Sequence, residues 1–212
     1  MPRSGTDING TNKSQLRHQL RARRRELSPR QQQQAANAFC KVLKRQPVFR
    51  RAKRIAFYCA NDGELQLREC MHWCLGQGKH CFLPVLKSRA QLELLFLPVT
   101  KHTRYELNRY RIPEPCVPWH KALANWQLDI VLLPLVGFDR KGGRLGMGGG
   151  YYDRTFTHLR QHPRRPLLVG VGHQCQEVEM LPMDSWDIAL DAIATDTGFT
   201  YVHSRHRYKF NA

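Results

Sequence analysis

Acidic residues are what this sequence has least of. Seventeen Asp and Glu stand against 34 Lys and Arg in 212 residues, a formal net charge of +17. That excess points first to nucleic acid or another polyanion. Long hydrophobic runs are missing too, as is a charged-then-apolar leader, so no membrane span is predicted. The seven cysteines, Cys40, Cys59, Cys70, Cys74, Cys81, Cys116 and Cys175, are odd in number and irregularly spaced. They exclude a regular disulfide framework and fit a reduced, cytoplasmic protein. Cys70-x3-Cys74 lacks the paired C-x2-C spacing of common structural zinc sites. Both fall on one side of an amphipathic helix, so they are expected to pack as small hydrophobes. Hydrophobic residues make up 42% of the chain and aromatics 9%, which excludes a wholly disordered or fibrous protein.

The positive charge is unevenly distributed. Residues 1–60 hold 15 Lys and Arg with only Asp7 and Glu26 as acids, while residues 61–212 are close to balanced. The polar residues 1–12 read as a flexible extension, 13–200 as a single catalytic α/β domain and 201–212 as a basic tail. From Lys13 to Leu27 the apolar residues are sparse. Leu16, Leu20 and Leu27 share one side of a helix whose remaining surface is Arg, Gln and His. Ser28-Pro29 reads as an N-cap with proline at the first helical position, opening a helix with Ala35, Ala38, Phe39, Val42 and Leu43 inward.

Apolar runs at 55–58, 81–85, 92–99, 129–134 and 167–171 read as strands, and 65–75 and 151–161 as helices. Residues 100–127, punctuated by prolines, read as loop with a short helix. Strands alternating with helices predict a three-layer α/β/α fold, Rossmann-like, with a mostly parallel central sheet. Ligands of such sheets sit beyond the carboxyl ends of the strands. One loop there stands out, Gly137 to Asp153 (GFDRKGGRLGMGGGYYD), with seven glycines among residues 137–150. Glycines let successive N–H groups approach an anion, and a following helix start adds partial positive charge, so phosphate binding is expected. Arg144 supplies a cation for such an anion; Asp153 suits a helix cap or a hard cation such as Mg²⁺. Neither the Walker A pattern nor G-x-G-x-x-G fits.

Extended back to Pro134, this loop closely resembles the signature of the 5-formyltetrahydrofolate cyclo-ligases, also called methenyltetrahydrofolate synthetases. Three shorter elements follow the family order: Lys13-Ser14-Gln15-Leu16-Arg17, Glu64 in the segment DGELQL, and the run Leu181 to Asp187 leading to Asp191. The resemblance spans about residues 13–195. It implies ATP- and Mg²⁺-dependent conversion of 5-formyltetrahydrofolate, polyglutamylated forms included, to 5,10-methenyltetrahydrofolate with release of ADP and phosphate. The formyl oxygen attacks the γ-phosphate, and N10 then closes the ring on the iminium phosphate. Such a reaction asks mainly for in-line positioning and charge neutralisation.

By the same resemblance, Lys13 and Arg17 contact ATP phosphates. Arg144, Leu145, Gly146, Met147, Gly148, Gly149, Gly150, Tyr151 and Tyr152 cradle ATP, and Met147 to Tyr151 also face the folate. Glu64 binds the pterin ring and Cys59 packs against the folate. Asp153 and Asp191 hold Mg²⁺, and Arg144 and Tyr152 are the catalytic candidates. The chain is expected to act as a monomer. A nucleic-acid-binding module is the alternative the net charge raises. No helix-turn-helix, RNP or zinc-finger signature supports it, and the basic residues are not interleaved with stacking aromatics. Another phosphate-binding α/β enzyme, such as a sugar-phosphate isomerase, has only fold analogy behind it.

Overall fold

In the computed structural model the described residues are 8–87, 92–159, 162–184 and 186–202, with side chains from residue 13 onward. The central sheet grows from β1 (Arg54–Ala56), β2 (His80–Leu86) and β3 (Leu94–Val99). A hairpin of β4 (Tyr105–Leu107) and β5 (Pro113–Pro115) follows, then β6 (Ile130–Pro134) and a second hairpin of β7 (Gly137–Phe138) and β8 (Arg144–Leu145). Strands β9 (Leu167–Val171), β10 (Ala192–Ala194) and β11 (Phe199–Tyr201) complete the set. Seven of them form one sheet in the order β11-β10-β9-β6-β1-β2-β3. The pairings β2–β1, β1–β6, β6–β9 and β9–β10 are parallel, and antiparallel β3 and β11 close the two edges.

Alternation of side chains about the sheet builds two cores. Ile55, Ile130, Leu132, Leu167 and Val169 point to one face; Ala56, Val131, Leu133, Leu168 and Ile193 point to the other. Burial on both faces explains why these strands read as continuous apolar runs rather than alternating ones. Helix α2 (Pro29–Arg45), the short α3 (Pro47–Arg51) and α4 (Arg68–Gly76) cover the first face; α5 (Tyr151–Phe156) lies on the second. The three-layer expectation therefore holds, with a mostly parallel sheet at its centre.

Local signals account for the helix boundaries. Ser28 caps α2 through a reciprocal capping box with Gln31, and Pro29 starts the helix. Its buried stripe is Ala35, Ala36, Phe39, Cys40 and Leu43; Ala38 and Val42, expected inward, flank it and are only half-buried. Cys70 and Cys74 are buried in the same core. Helix α1 spans Ile8–Arg25, beginning five residues before Lys13. Leu20 is its buried anchor, packed with Val136, Leu145 and Leu181, and half-buried Leu16 leans on the same cluster.

Two expectations shift. The helix at 151–161 is shorter, with Tyr151–Phe156 followed by a 3-10 turn at Thr157–Leu159, while residues 160–161 lie outside the described set. The segment 100–127 is not simply loop, since it folds the β4–β5 hairpin and two 3-10 turns. Of the anticipated extension and tail, 1–7 and 203–212 likewise lie outside the described residues.

The topology fixes one crevice. From β1 the chain continues to β2 on one side, and from β6 to β9 on the other, yet β1 and β6 are neighbours. Their carboxyl ends therefore diverge at a topological switch point, where open α/β sheets bind ligands.

Candidate active site

Each wall of the crevice comes from one of those divergent strands. After β1 come Cys59 and a tight turn, Asn61 to Glu64, in which Asp62 and Gly63 both have positive φ (52° and 76°). After β6 comes the glycine-rich segment, starting with the β7–β8 hairpin. Buried Asp139 organises that hairpin by accepting from the N–H groups of Lys141 (2.8 Å), Gly143 (2.9 Å) and Leu181 (2.9 Å). A side chain at Gly143 would collide with the Asp139 carboxylate. At Gly150 the backbone turns left-handed (φ 64°) to enter α5.

Helix α1 closes the loop from outside. Arg17 Nε donates to the carbonyl of Gly146 at 2.9 Å, placing its guanidinium against the Gly146–Gly148 stretch. One turn earlier, Lys13 Nζ sits 2.6 Å from Asp184 and 3.3 Å from Asp187. Burial opposes the charge on Lys13, but these two carboxylates hold its ammonium above the usual value. The separately read segments around Lys13, Gly146 and Asp184 are thus brought together.

Arg144 is turned inward rather than toward open solvent. Its guanidinium donates to the Ile188 carbonyl and to Asp153 Oδ1, an atom that also accepts from the Ile188 N–H at 3.0 Å. Asp153 Oδ2 accepts no hydrogen bond among the described residues, which leaves one carboxylate oxygen for a hard cation. Such a donor set suits Mg²⁺, which commonly takes one or two carboxylates and fills the remaining positions with phosphate oxygens and water. Asp191 does not fit. Both its oxygens bind Arg165 (2.7 and 2.6 Å), and Oδ2 also accepts from Leu168 N at 2.8 Å. It stands before β10, at the amino end of the parallel strands and away from the crevice mouth, so the expected Asp153–Asp191 pair is not assembled. Among the described residues no cluster of three or more His, Cys, Asp or Glu side chains has metal-binding geometry.

The opposite wall carries Glu64. Its Oε2 accepts from Asn61 N at 3.0 Å and its Oε1 lies 3.8 Å from Arg24. Burial pushes its carboxyl up to about 7, against the pull of the Asn61 N–H and Arg24. Burial likewise raises the Cys59 thiol to about 11, so it is a neutral packing group. Tyr152 lies between the walls, stacked on Phe156. Burial, with Glu64 and Cys59 close by, drives its phenol far above the ordinary range, with Arg144 pulling the other way. Met147, 52% exposed, and the exposed Gly148 and Gly149 form the outer lip, and Leu145 is buried beneath them.

Several residues around the site carry no sequence signal of their own, among them Arg109 and Tyr110. Tyr151 meets the tip of the β4–β5 hairpin: Arg109 Nη2 donates to its hydroxyl (2.6 Å), and the hydroxyl of Tyr110 is 2.9 Å away. Asp139 was readable only as an acid heading a glycine-rich turn. Arg24, in an arginine cluster that reads as solvated, is fully buried. His173, just past β9, is also buried, and burial lowers the basicity of its ring.

These features define a three-layer α/β protein with a glycine-loop site at the carboxyl edge of its parallel strands. Residues 9–196 match the profile of the 5-formyltetrahydrofolate cyclo-ligase family, and the chain belongs to that family. It is 38% identical over 176 residues to the 5-formyltetrahydrofolate cyclo-ligase of Escherichia coli, covering 83% of this chain and 96% of that protein. The Haemophilus influenzae enzyme of the same name is 38% identical over 183 residues, 86% of this chain and 97% of its own. In structure the chain is similar to the 5,10-methenyltetrahydrofolate synthetase of Aquifex aeolicus. The TM-score is 0.79 and the identity 29%, with 93% of this chain and 96% of that one covered.

Proposed function

We propose that this protein converts 5-formyltetrahydrofolate to 5,10-methenyltetrahydrofolate at the expense of ATP, with Mg²⁺. The observation that carries the reading is the crevice between the β1 and β6 exits. One wall there holds a largely enclosed carboxylate, Glu64, and the other a glycine-rich loop backed by Arg17, Arg144 and Asp153.

The division of labour follows from the chemistry on each wall. Ionised Glu64 accepts the adjacent N–H donors of a pterin and fixes the ring, while neutral Cys59 packs against it. The triphosphate lies along the Gly146–Gly150 backbone, where Arg17 Nη1 and Nη2 have no hydrogen bond among the described residues, Nε being the atom committed to Gly146. Lys13 can reach the same phosphates by giving up one of its two carboxylates. Arg144 keeps Asp153 oriented, so the free Oδ2 meets a cation that neutralises phosphate charge. With both reactants fixed, the formyl oxygen lies in line with the γ-phosphorus, and its attack releases ADP. N10 then attacks the activated formyl carbon, phosphate leaves and the ring closes. Tyr152, between Glu64 and Arg144, helps exclude water from that intermediate. The positive surface suits anionic folates, polyglutamylated ones included.

The test is spectrophotometric. Purified protein with 5-formyltetrahydrofolate, ATP and Mg²⁺ is expected to generate the near-ultraviolet band of methenyltetrahydrofolate. Absence of an ATP-dependent signal overturns the reading.

A further inference from the structure

The arginine cluster of α1 is left over once Lys13 and Arg17 have been placed. Lys13, Arg17, Arg21 and Arg24 recur at intervals of four, four and three, so they form one stripe along the helix. The stripe changes partners partway. Its first two members meet the Asp184–Asp187 segment and the glycine loop; its last two, with Arg25, converge on the carboxylate of Asp62.

Arg24 is the hub of this arrangement, and its side chain is completely buried. Nε donates to the carbonyl of Asp62 (2.8 Å) and Nη2 to its carboxylate (2.8 Å). Nη1 donates to the carbonyl of Leu135 (3.1 Å) and lies 3.8 Å from Glu64. Leu135 is the first residue beyond β6, at the root of the glycine loop. One planar guanidinium therefore touches the helix that backs the loop, the root of the loop itself and the turn that presents Glu64. Gln32 also bridges the carbonyls of Arg24 (3.1 Å) and Gly63 (3.3 Å), tying α2 into the same knot.

Two considerations separate this from simple packing. Burying a charged pair seldom stabilises more than apolar residues of the same volume would, so stability alone does not account for a buried Arg here. The turn it grips also has consecutive left-handed residues, one of them the non-glycine Asp62, a conformation that persists only when the surroundings hold it.

We propose that Arg24, anchored by Asp62, is a positioning residue that couples the nucleotide half of the site to the folate half. Movement of α1 toward a bound triphosphate shifts the Asp62–Glu64 turn through rigid, directional contacts. By linkage, a pterin seated on Glu64 favours the same placement of Arg17. The inference rests on the folate and ATP reading above.

The experiment measures the dissociation constant of 5-formyltetrahydrofolate for the full chain, with and without a non-hydrolysable ATP analogue and Mg²⁺. Wild-type protein is expected to bind folate about 5- to 100-fold more tightly with the nucleotide present. Arg24→Met and Arg24→Lys are expected to bring that factor close to one; lysine keeps the charge but not the fork. Arg23→Ala, an exposed neighbour outside the cluster, should keep the wild-type factor. If Arg24→Met fails to fold, Asp62→Asn carries the test with the same expected loss. A wild-type factor near one overturns the inference, as does a wild-type factor surviving in a folded Arg24 or Asp62 variant that merely melts earlier. Wild-type protein that makes methenyl product yet shows either result loses only the coupling; wild-type protein that makes no product loses the parent reading.

Discussion

The sheet and helix α1 both carry residues of the site, but they are held in place by different forces. The sheet is fixed by apolar burial on two faces, with Ile55, Leu132 and Leu167 wholly inaccessible. Among its described side chains helix α1 buries one apolar anchor fully, Leu20, with Leu16 half-buried beside it, and is docked largely by charge: Lys13 on Asp184 and Asp187, and three arginines on Asp62. Apolar burial is indifferent to pH across the working range, whereas ion pairs answer to protons and are directional. One region therefore supplies a fixed frame and the other an adjustable clamp.

The sharpest contrast is expected from Leu132→Ala in the middle of β6. Removing a fully buried leucine should cost about 2–5 kcal/mol of global stability, read from denaturant midpoints and unchanged between pH 5 and pH 8. A pH-dependent loss would contradict an apolar frame.

Acid titration addresses the clamp. Burial tends to raise the Asp62 carboxyl, but Arg21, Arg25 and Arg24 outweigh it and hold the group down at about 2. A carboxyl depressed on folding contributes stability that is complete above its unfolded value near 4 and is lost as pH falls toward 2. The contribution is roughly 2 kcal/mol, and Asp62→Asn should abolish that part of the acid limb. An unchanged limb in the variant would separate Asp62 from α1 docking.

The smallest effect is expected where frame and clamp meet. With its carboxyl near 7, Glu64 passes from mostly ionised at pH 8 to mostly protonated at pH 6. If, as proposed, the ionised form accepts the pterin donors, folate KM should rise by up to about tenfold over that interval. Glu64→Gln should flatten the profile; a sloping profile in the variant assigns the titration to another group.

Legibility in the sequence followed the same division. Strands β6 and β9 stood out because a strand buried on both faces needs an uninterrupted apolar run, and Leu167–Val171 agrees residue for residue. Strands of two or three residues, such as β7, β8 and β10, are too short for any period to register. The β4–β5 hairpin was hidden by prolines, which an unpaired edge tolerates. In the site, the glycine loop announced itself because close backbone approach requires glycine. Arg24 did not, since nothing local distinguishes a buried arginine from a solvated one; its partner lies 38 positions away. Asp191 shows the reverse case. A motif carried an expectation to an aspartate whose oxygens are committed to Arg165.

The Lys13–Asp184 contact spans 171 positions of sequence. During synthesis at a ribosome, Lys13 emerges well before Asp184 and Asp187, which follow it by 171 and 174 positions. In the interval its arginines can already meet Asp62, and the β1–β2 pair and its covering helices can form, but Lys13 has neither of its carboxylates. The Lys13 end of the helix that backs the glycine loop is thus expected to dock late, alongside β10 and β11, which also follow Asp184 in the chain.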